Sequence, residues 1–132
     1  MSQEDRYGED RIMRTLKFRA WHKGYPGMAP KMLYDKGSGD CLIWKRNGQP
    51  VIVMQSTGLK DSKGVEIYEG DIVAIDGGAE PIKTAVFFED GCYCVKMLDK
   101  TCELKYYTEM PFCELEIIGN IWENPPSAID TR

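Results

Sequence analysis

The chain has 132 residues, 42% of them hydrophobic and 29% charged, and a formal net charge of −4 at pH 7. That size suits one domain around one core, and the composition excludes wholesale disorder. The acidic balance excludes nucleic-acid binding by bulk charge, because phosphate contacts need a basic footprint.

Residues 1–13 are polar without a hydrophobic period and read as a flexible tail. Residues 1–10 are too charged for a secretory signal, and no apolar run reaches bilayer length, so a cytoplasmic protein is expected. Residues 11–23 hold five bases and no acid, a local basic run in an acidic chain. Over residues 14–21 the pattern alternates, placing Leu16, Phe18 and Ala20 inward on a strand and Lys17, Arg19 and Trp21 outward. Gly24-Tyr25-Pro26-Gly27 and Pro30 break the strand, residues 32–34 read as a short return, and Lys36-Gly37-Ser38-Gly39 as a turn.

Asn47-Gly48, between the apolar segments 42–46 and 50–55, predicts a type I′ hairpin. Asp61-Ser62-Lys63-Gly64 has the residues of a type I turn, Asp first and Gly fourth. Glu69-Gly70-Asp71 punctuates before a strand over 71–75, and Gly77-Gly78 is a loop. Segments 82–88 and 92–98 pair across Glu89-Asp90-Gly91, strands follow at 103–107 and 115–121, and a helical turn is expected only within 108–114. Asn124-Pro125-Pro126 ends regular structure and leaves 127–132 as a tail. The whole predicts one mainly β domain over 14–126, a small barrel with little helix.

Four blocks carry a resemblance. They are Lys17-Phe18-Arg19-Ala20-Trp21; Thr57-Gly58-Leu59-Lys60-Asp61 with Gly64; Glu66-Ile67-Tyr68-Glu69-Gly70-Asp71-Ile72-Val73; and Ile118-Gly119-Asn120-Ile121-Trp122-Glu123-Asn124-Pro125. In this order and spacing the chain resembles the YopX family. The resemblance implies a phage- or prophage-encoded protein with an SH3-like β-barrel core and no established activity. His22 stands where the family usually carries an acid, and Trp122 where a Tyr is common. Physically, Gly58, Gly64, Gly70 and Gly119 suit positions where a side chain would clash, and Ile67, Tyr68, Ile72, Val73, Ile118 and Ile121 suit a shared core. Trp21, Tyr68 and Trp122 are large rings able to stack near one another. The blocks therefore read mainly as a folding signature.

Sharper chemistry finds little support in the spacing. Glu66, Glu69 and Asp71 form an acidic group able to hold Mg²⁺ or Ca²⁺, yet they match no calcium loop. Cys92 and Cys94, with Cys102 or Cys113, lack the paired Cys-x-x-Cys knuckles of a zinc site. Five cysteines, including Cys41, cannot all pair within one chain and fit reduced thiols. His22, the sole histidine, reads as an exposed strand-end residue without a nucleophile partner. No phosphate-cradling glycine loop is present, so neither an enzyme nor a bound cofactor is expected. A non-enzymatic module binding a host protein or a second copy of itself is the leading expectation. Its partner face would be Lys17, Arg19, Trp21, His22 and Lys23. The alternative is a nucleic-acid-associated protein using the same basic stretch, residues 14–23.

Overall fold

Alternating apolar and polar residues produce strands nearly everywhere they were expected. The fold is described by a computed structural model covering residues 16–36, 39–78 and 80–130. The expected tail at 1–13, the start of the first strand at Arg14, and Gly37-Ser38 of a turn lie outside the described residues. Strand β1 (Phe18–His22) sits between β2 (Lys31–Tyr34) and β3 (Val51–Lys60), and β3 also pairs with β4 (Glu66–Tyr68). In a second ladder β5 (Asp71–Asp76) lies between β6 (Ile82–Ala85) and β10 (Glu114–Asn120). In a third, β8 (Cys92–Met97) lies between β7 (Phe87–Glu89) and β9 (Lys100–Glu103). All these pairings are antiparallel. The architecture is mainly β, with sheet curled into half a barrel.

Two apolar clusters form inside it. The larger joins Ile67, Val73, Ile75, Val86, Val95, Leu104 and Leu115 from four strands, the Ala85–Phe87 link and a helix. The smaller joins Ala20, Cys41 and Val51, with Phe18, Trp44 and Val53 against them.

The expected hairpin at Asn47-Gly48 is a helix end instead. Helix α1 (Asp40–Arg46) replaces the strand over 42–46. Asp40 lies in its first turn and Lys45 and Arg46 in its last, the charge order that the helix dipole favours. The Gly48 N–H reaches Lys45 O at 3.2 Å and the Gln49 N–H reaches Trp44 O at 3.0 Å, the two bonds of a Schellman cap. That cap needs a left-handed residue, and Gly48 has φ +79°. Asn-Gly serves either motif, and burial of Cys41 against β1 and β3 decides for the helix.

Four further expectations are corrected. The strand expected over 103–107 ends at Glu103, and helix α2 (Leu104–Glu109) follows, so the helical turn comes earlier than 108–114. Leu104 and Tyr107, three apart, both pack against the large cluster, a helical spacing rather than a strand one. Ile118 is 43% exposed rather than core, because β10 bulges there: Ile117 pairs with Val73 and Gly119 with Ile72, leaving Ile118 without an opposite residue. Ile121 lies past the strand end and is 41% exposed. Leu16 precedes β1 and is exposed, outside the inward row it was expected to share.

Residues 127–130 do not trail away. A 3₁₀ turn (Pro126–Ala128) returns Asp130 to β6, where its N–H meets Lys83 O at 2.8 Å and its carboxylate accepts the Lys83 N–H at 2.9 Å. No helix among the described residues is long and apolar enough to cross a membrane.

Cys41 gives a direct test of the smaller cluster. Burial above all, with the Asp35 carboxylate beside it, pushes its thiol up to about 12. In the native protein its alkylation by iodoacetamide is expected to be at least about tenfold slower than that of the half-buried Cys102. Quenched labelling read by peptide mass spectrometry checks this. Equal rates would mean that α1 does not stay docked.

Candidate functional site

The five residues expected to form one partner face go to different places. Lys17 is exposed and its Nζ lies 3.2 Å from Glu66 Oε1. Arg19 is only 3% exposed. Trp21 is half-buried and stacks on Trp122, with centroids 6.4 Å apart and planes at 15°. His22, expected at the surface, is 5% exposed: its Nδ1 accepts the Gly24 N–H at 2.9 Å and its ring meets the edge of Tyr25. Lys23 alone extends freely into solvent at the strand end, though its backbone N–H bonds Pro50 O. The alternation failed because β1 is the inner strand of its ladder, with its Arg19 side covered by β4 and β5 contacts and its Ala20 side by α1.

The signature blocks meet around Arg19. Its Nη1 lies 2.9 Å from Asp71 Oδ1, and its Nη2 donates to Glu69 O at 2.9 Å. The guanidinium sits 4.9 Å from the Tyr68 ring centroid. Asp71 also accepts the Tyr68 N–H at 2.8 Å. Burial pushes the Asp71 carboxyl up, against the pull of Arg19 and of that N–H. Arg19 Nε, however, has no partner, the single buried side-chain N or O atom in that condition among the described residues. An orphan of this kind costs about 1–3 kcal/mol.

The other signature residues hold this centre in place. Asp61 Oδ1 accepts the Lys63 and Val65 N–H groups, and Oδ2 accepts the Ile117 N–H at 3.1 Å. Ser62 bonds Leu115 in both directions, so the expected turn at Asp61-Ser62-Lys63-Gly64 is fastened to β10. Gly70, at φ +85°, turns β4 into β5, and a Cβ there would lie 3.0 Å from Met54 Sδ. At Gly119 a Cβ would collide with the carboxamide of Asn124, which accepts the Asn120 N–H. Asn120 in turn caps Trp122 and Glu123, and the Trp122 Nε1–H points at Met54 Sδ at 3.2 Å. Gly58, Leu59 and Pro125 belong to strand β3 and to the lead into the 3₁₀ turn.

Beside the Arg19–Asp71 pair lies a half-open cavity of about 390 Å³. Arg19 and Asp71 form its buried side, Tyr34, Tyr68, Val65 and Ile117 its walls, and Glu66 completes the lining. Tyr34 and Tyr68 meet edge to face at 5.7 Å. Burial, with Glu66 nearby, raises the Tyr68 phenol above its ordinary value. Tyr34, Val65 and Ile117 had no signal in the sequence; only the pairing of β1 with β2 and the Asp61–Ile117 bond bring them here.

The acids do not converge as a cation site would require. Glu66 takes Lys17 and the Ser56 hydroxyl, Glu69 accepts the Gln55 N–H at 2.7 Å, and Asp71 faces Arg19. Cys92 donates to Glu103 at 3.3 Å, while Cys113 packs on the large cluster. Among the described residues no group of three or more His, Cys, Asp or Glu is placed to hold a metal ion.

Comparison with known proteins follows the same blocks. A family model described as YopX protein matches residues 17–126. The crystal structure of protein EF1440 from Enterococcus faecalis is similar over 86% of this chain and 98% of its own, at 27% identity and a TM-score of 0.53. The crystal structure of protein yopX from Bacillus subtilis is similar over 89% of this chain and 100% of its own, at 15% identity and a TM-score of 0.54, a likeness of fold. No curated protein matches the chain.

Proposed function

The chain belongs to the YopX protein family, and from that premise we propose that it is a phage or prophage accessory protein that acts by binding another protein or a second copy of itself, without catalysis. The observation that carries this reading is the cavity beside the Arg19–Asp71 pair, whose Tyr34 and Val65 walls are 51% and 53% exposed. Exposed aromatic and aliphatic side chains around a concave site are the anchors that protein interfaces use. The charged groups lining it are engaged by each other, by Lys17 and by Ser56, an arrangement that suits a binding surface. Free thiols and the family resemblance support a place in the bacterial cytoplasm. Burial of Arg19 and His22, two of the basic face's residues, counts against the nucleic-acid reading.

The test compares wild type with the double variant Tyr34→Ala/Val65→Ser by light scattering on a sizing column and by cross-linking in host lysate. The expected result is a self-association or a cross-linked protein that the variant loses. A wild type that stays monomeric and cross-links nothing, or whose capture vanishes with nuclease, would overturn the reading.

A further inference from the structure

Strand β2 ends its sheet, and among the described residues no strand pairs with its outer edge. The Asp35 N–H bonds Phe18 O on β1 at 3.1 Å, which sets the phase of the ladder. Lys31 and Leu33 therefore turn their backbone groups to β1, and Met32 and Tyr34 turn theirs outward. Such a row of outward N–H and C=O groups is a template for pairing with another chain. The row is bounded at both ends. Pro30 has no N–H to offer, and the Lys36 N–H is turned to the Asp40 carboxylate at 3.5 Å.

The residues of this edge select its occupant, because Lys31-Met32-Leu33-Tyr34-Asp35 read backwards is its own complement. A second copy laid antiparallel about a two-fold axis at Leu33 sets Lys31 opposite Asp35 at both ends. Met32 then exchanges N–H and C=O with Tyr34 of the other copy, twice over, so every outward group of the row is bonded. Leu33 meets Leu33, and with the two charge pairs it falls in the closely spaced, non-hydrogen-bonded positions. Lys31 is exposed and makes no ion pair among the described residues. The neighbouring registers are poorer. Centring on Met32 calls on the missing Pro30 N–H and sets Lys31 against Leu33. Centring on Tyr34 calls on the engaged Lys36 N–H and sets Asp35 against Leu33. A strand of unrelated sequence would leave Lys31 and Asp35 without opposite charges.

We propose that two copies of this chain associate through β2 in this register, joining their four-stranded sheets edge to edge. The inference rests on the protein-binding reading above and commits it to a second copy at a stated edge.

The experiment is sedimentation equilibrium of the full chain with amide-resolved hydrogen exchange at high and low protein concentration. Wild type is expected to dimerise, and its Met32 and Tyr34 amides to exchange at least about tenfold faster on dilution. The Leu33 amide, bonded to β1, is expected to keep its rate. Met32→Pro removes one outward N–H per copy and no bond to β1, and is expected to abolish the dimer. Lys31→Glu, at an exposed position, turns two attractive pairs repulsive and is expected to weaken it at least about tenfold. A wild type that stays monomeric up to millimolar chain would overturn the proposal. So would a dimer that withstands Met32→Pro or Lys31→Glu, or one whose dilution leaves the Met32 and Tyr34 amides unchanged. If wild type is monomeric while its cross-links in lysate still depend on Tyr34 and Val65, the edge pairing is wrong and the protein-binding reading stands.

Discussion

Replacing Arg19 by Met is expected to lower the unfolding free energy at pH 7 by about 3–5 kcal/mol, the cost of breaking a buried ion pair from one side. Both partners are nearly sealed from water, with side-chain exposures of 3% and 4%, so solvent screening cannot soften the loss. The variant also gives up the bond to Glu69 O and the contact with the Tyr68 ring. Urea unfolding at constant m-value would measure the change, and a domain of this kind has only about 5–15 kcal/mol to lose. The loss should shrink as the pH falls. Without Arg19, burial is left to push the Asp71 carboxyl still further up. The folded state then binds a proton that the unfolded state does not, so stability rises as pH falls through the raised value towards the ordinary carboxylate range. A loss of under about 1 kcal/mol would show that water reaches the pair.

Ile67→Ala is expected to cost about 2–5 kcal/mol, because the residue is fully buried between sheet and helix and its neighbours are fixed by other bonds. Thr57 Oγ1 donates to Ile67 O at 2.8 Å, which keeps β4 from closing into the cavity left behind. The matched control is Ile118→Ala, at the unpaired bulge position and 43% exposed, where a change within about 0.5 kcal/mol is expected. Thermal unfolding of the pair checks the assignment. Equal losses would place Ile118 in the core and remove the bulge.

How far the sequence could be read depended on whether local or distant contacts decided each element. The turn at Asp61-Ser62-Lys63-Gly64 was legible because its bonds are local: Gly64 N–H to Asp61 O, and Lys63 N–H to the Asp61 carboxylate. The hairpins of β5 with β6 and of β7 with β8 were legible for the same reason, though the single strand expected over 82–88 splits at Val86, its first part pairing with β5 and only its second with β8. Asn47-Gly48 misled because the same dipeptide ends a helix or turns a hairpin, and the choice lies with Cys41 packing on distant strands. Ile118 misled because a bulge inverts the side-chain order that simple alternation assumes.

The candidate site was only partly legible. Trp21, Tyr68 and Trp122 were expected to stack near one another; the two Trp rings do, whereas Tyr68 meets Tyr34 and the Arg19 guanidinium instead, and Arg19 and Asp71 were singled out only separately. Their joint role was not visible, since an outward basic strand face and an inward ion pair share one alternation pattern. Which face of β1 is covered depends on β4 and β5, some fifty residues away, and no local period encodes that.

A double-mutant cycle on Arg19→Met and Asp71→Leu tests most directly whether the family blocks are tied together through this one buried pair. The account predicts that each single variant loses about 3–5 kcal/mol in urea unfolding and that the double variant is more stable than either, its charges having left together. A double variant that loses the sum of the two single costs would contradict it.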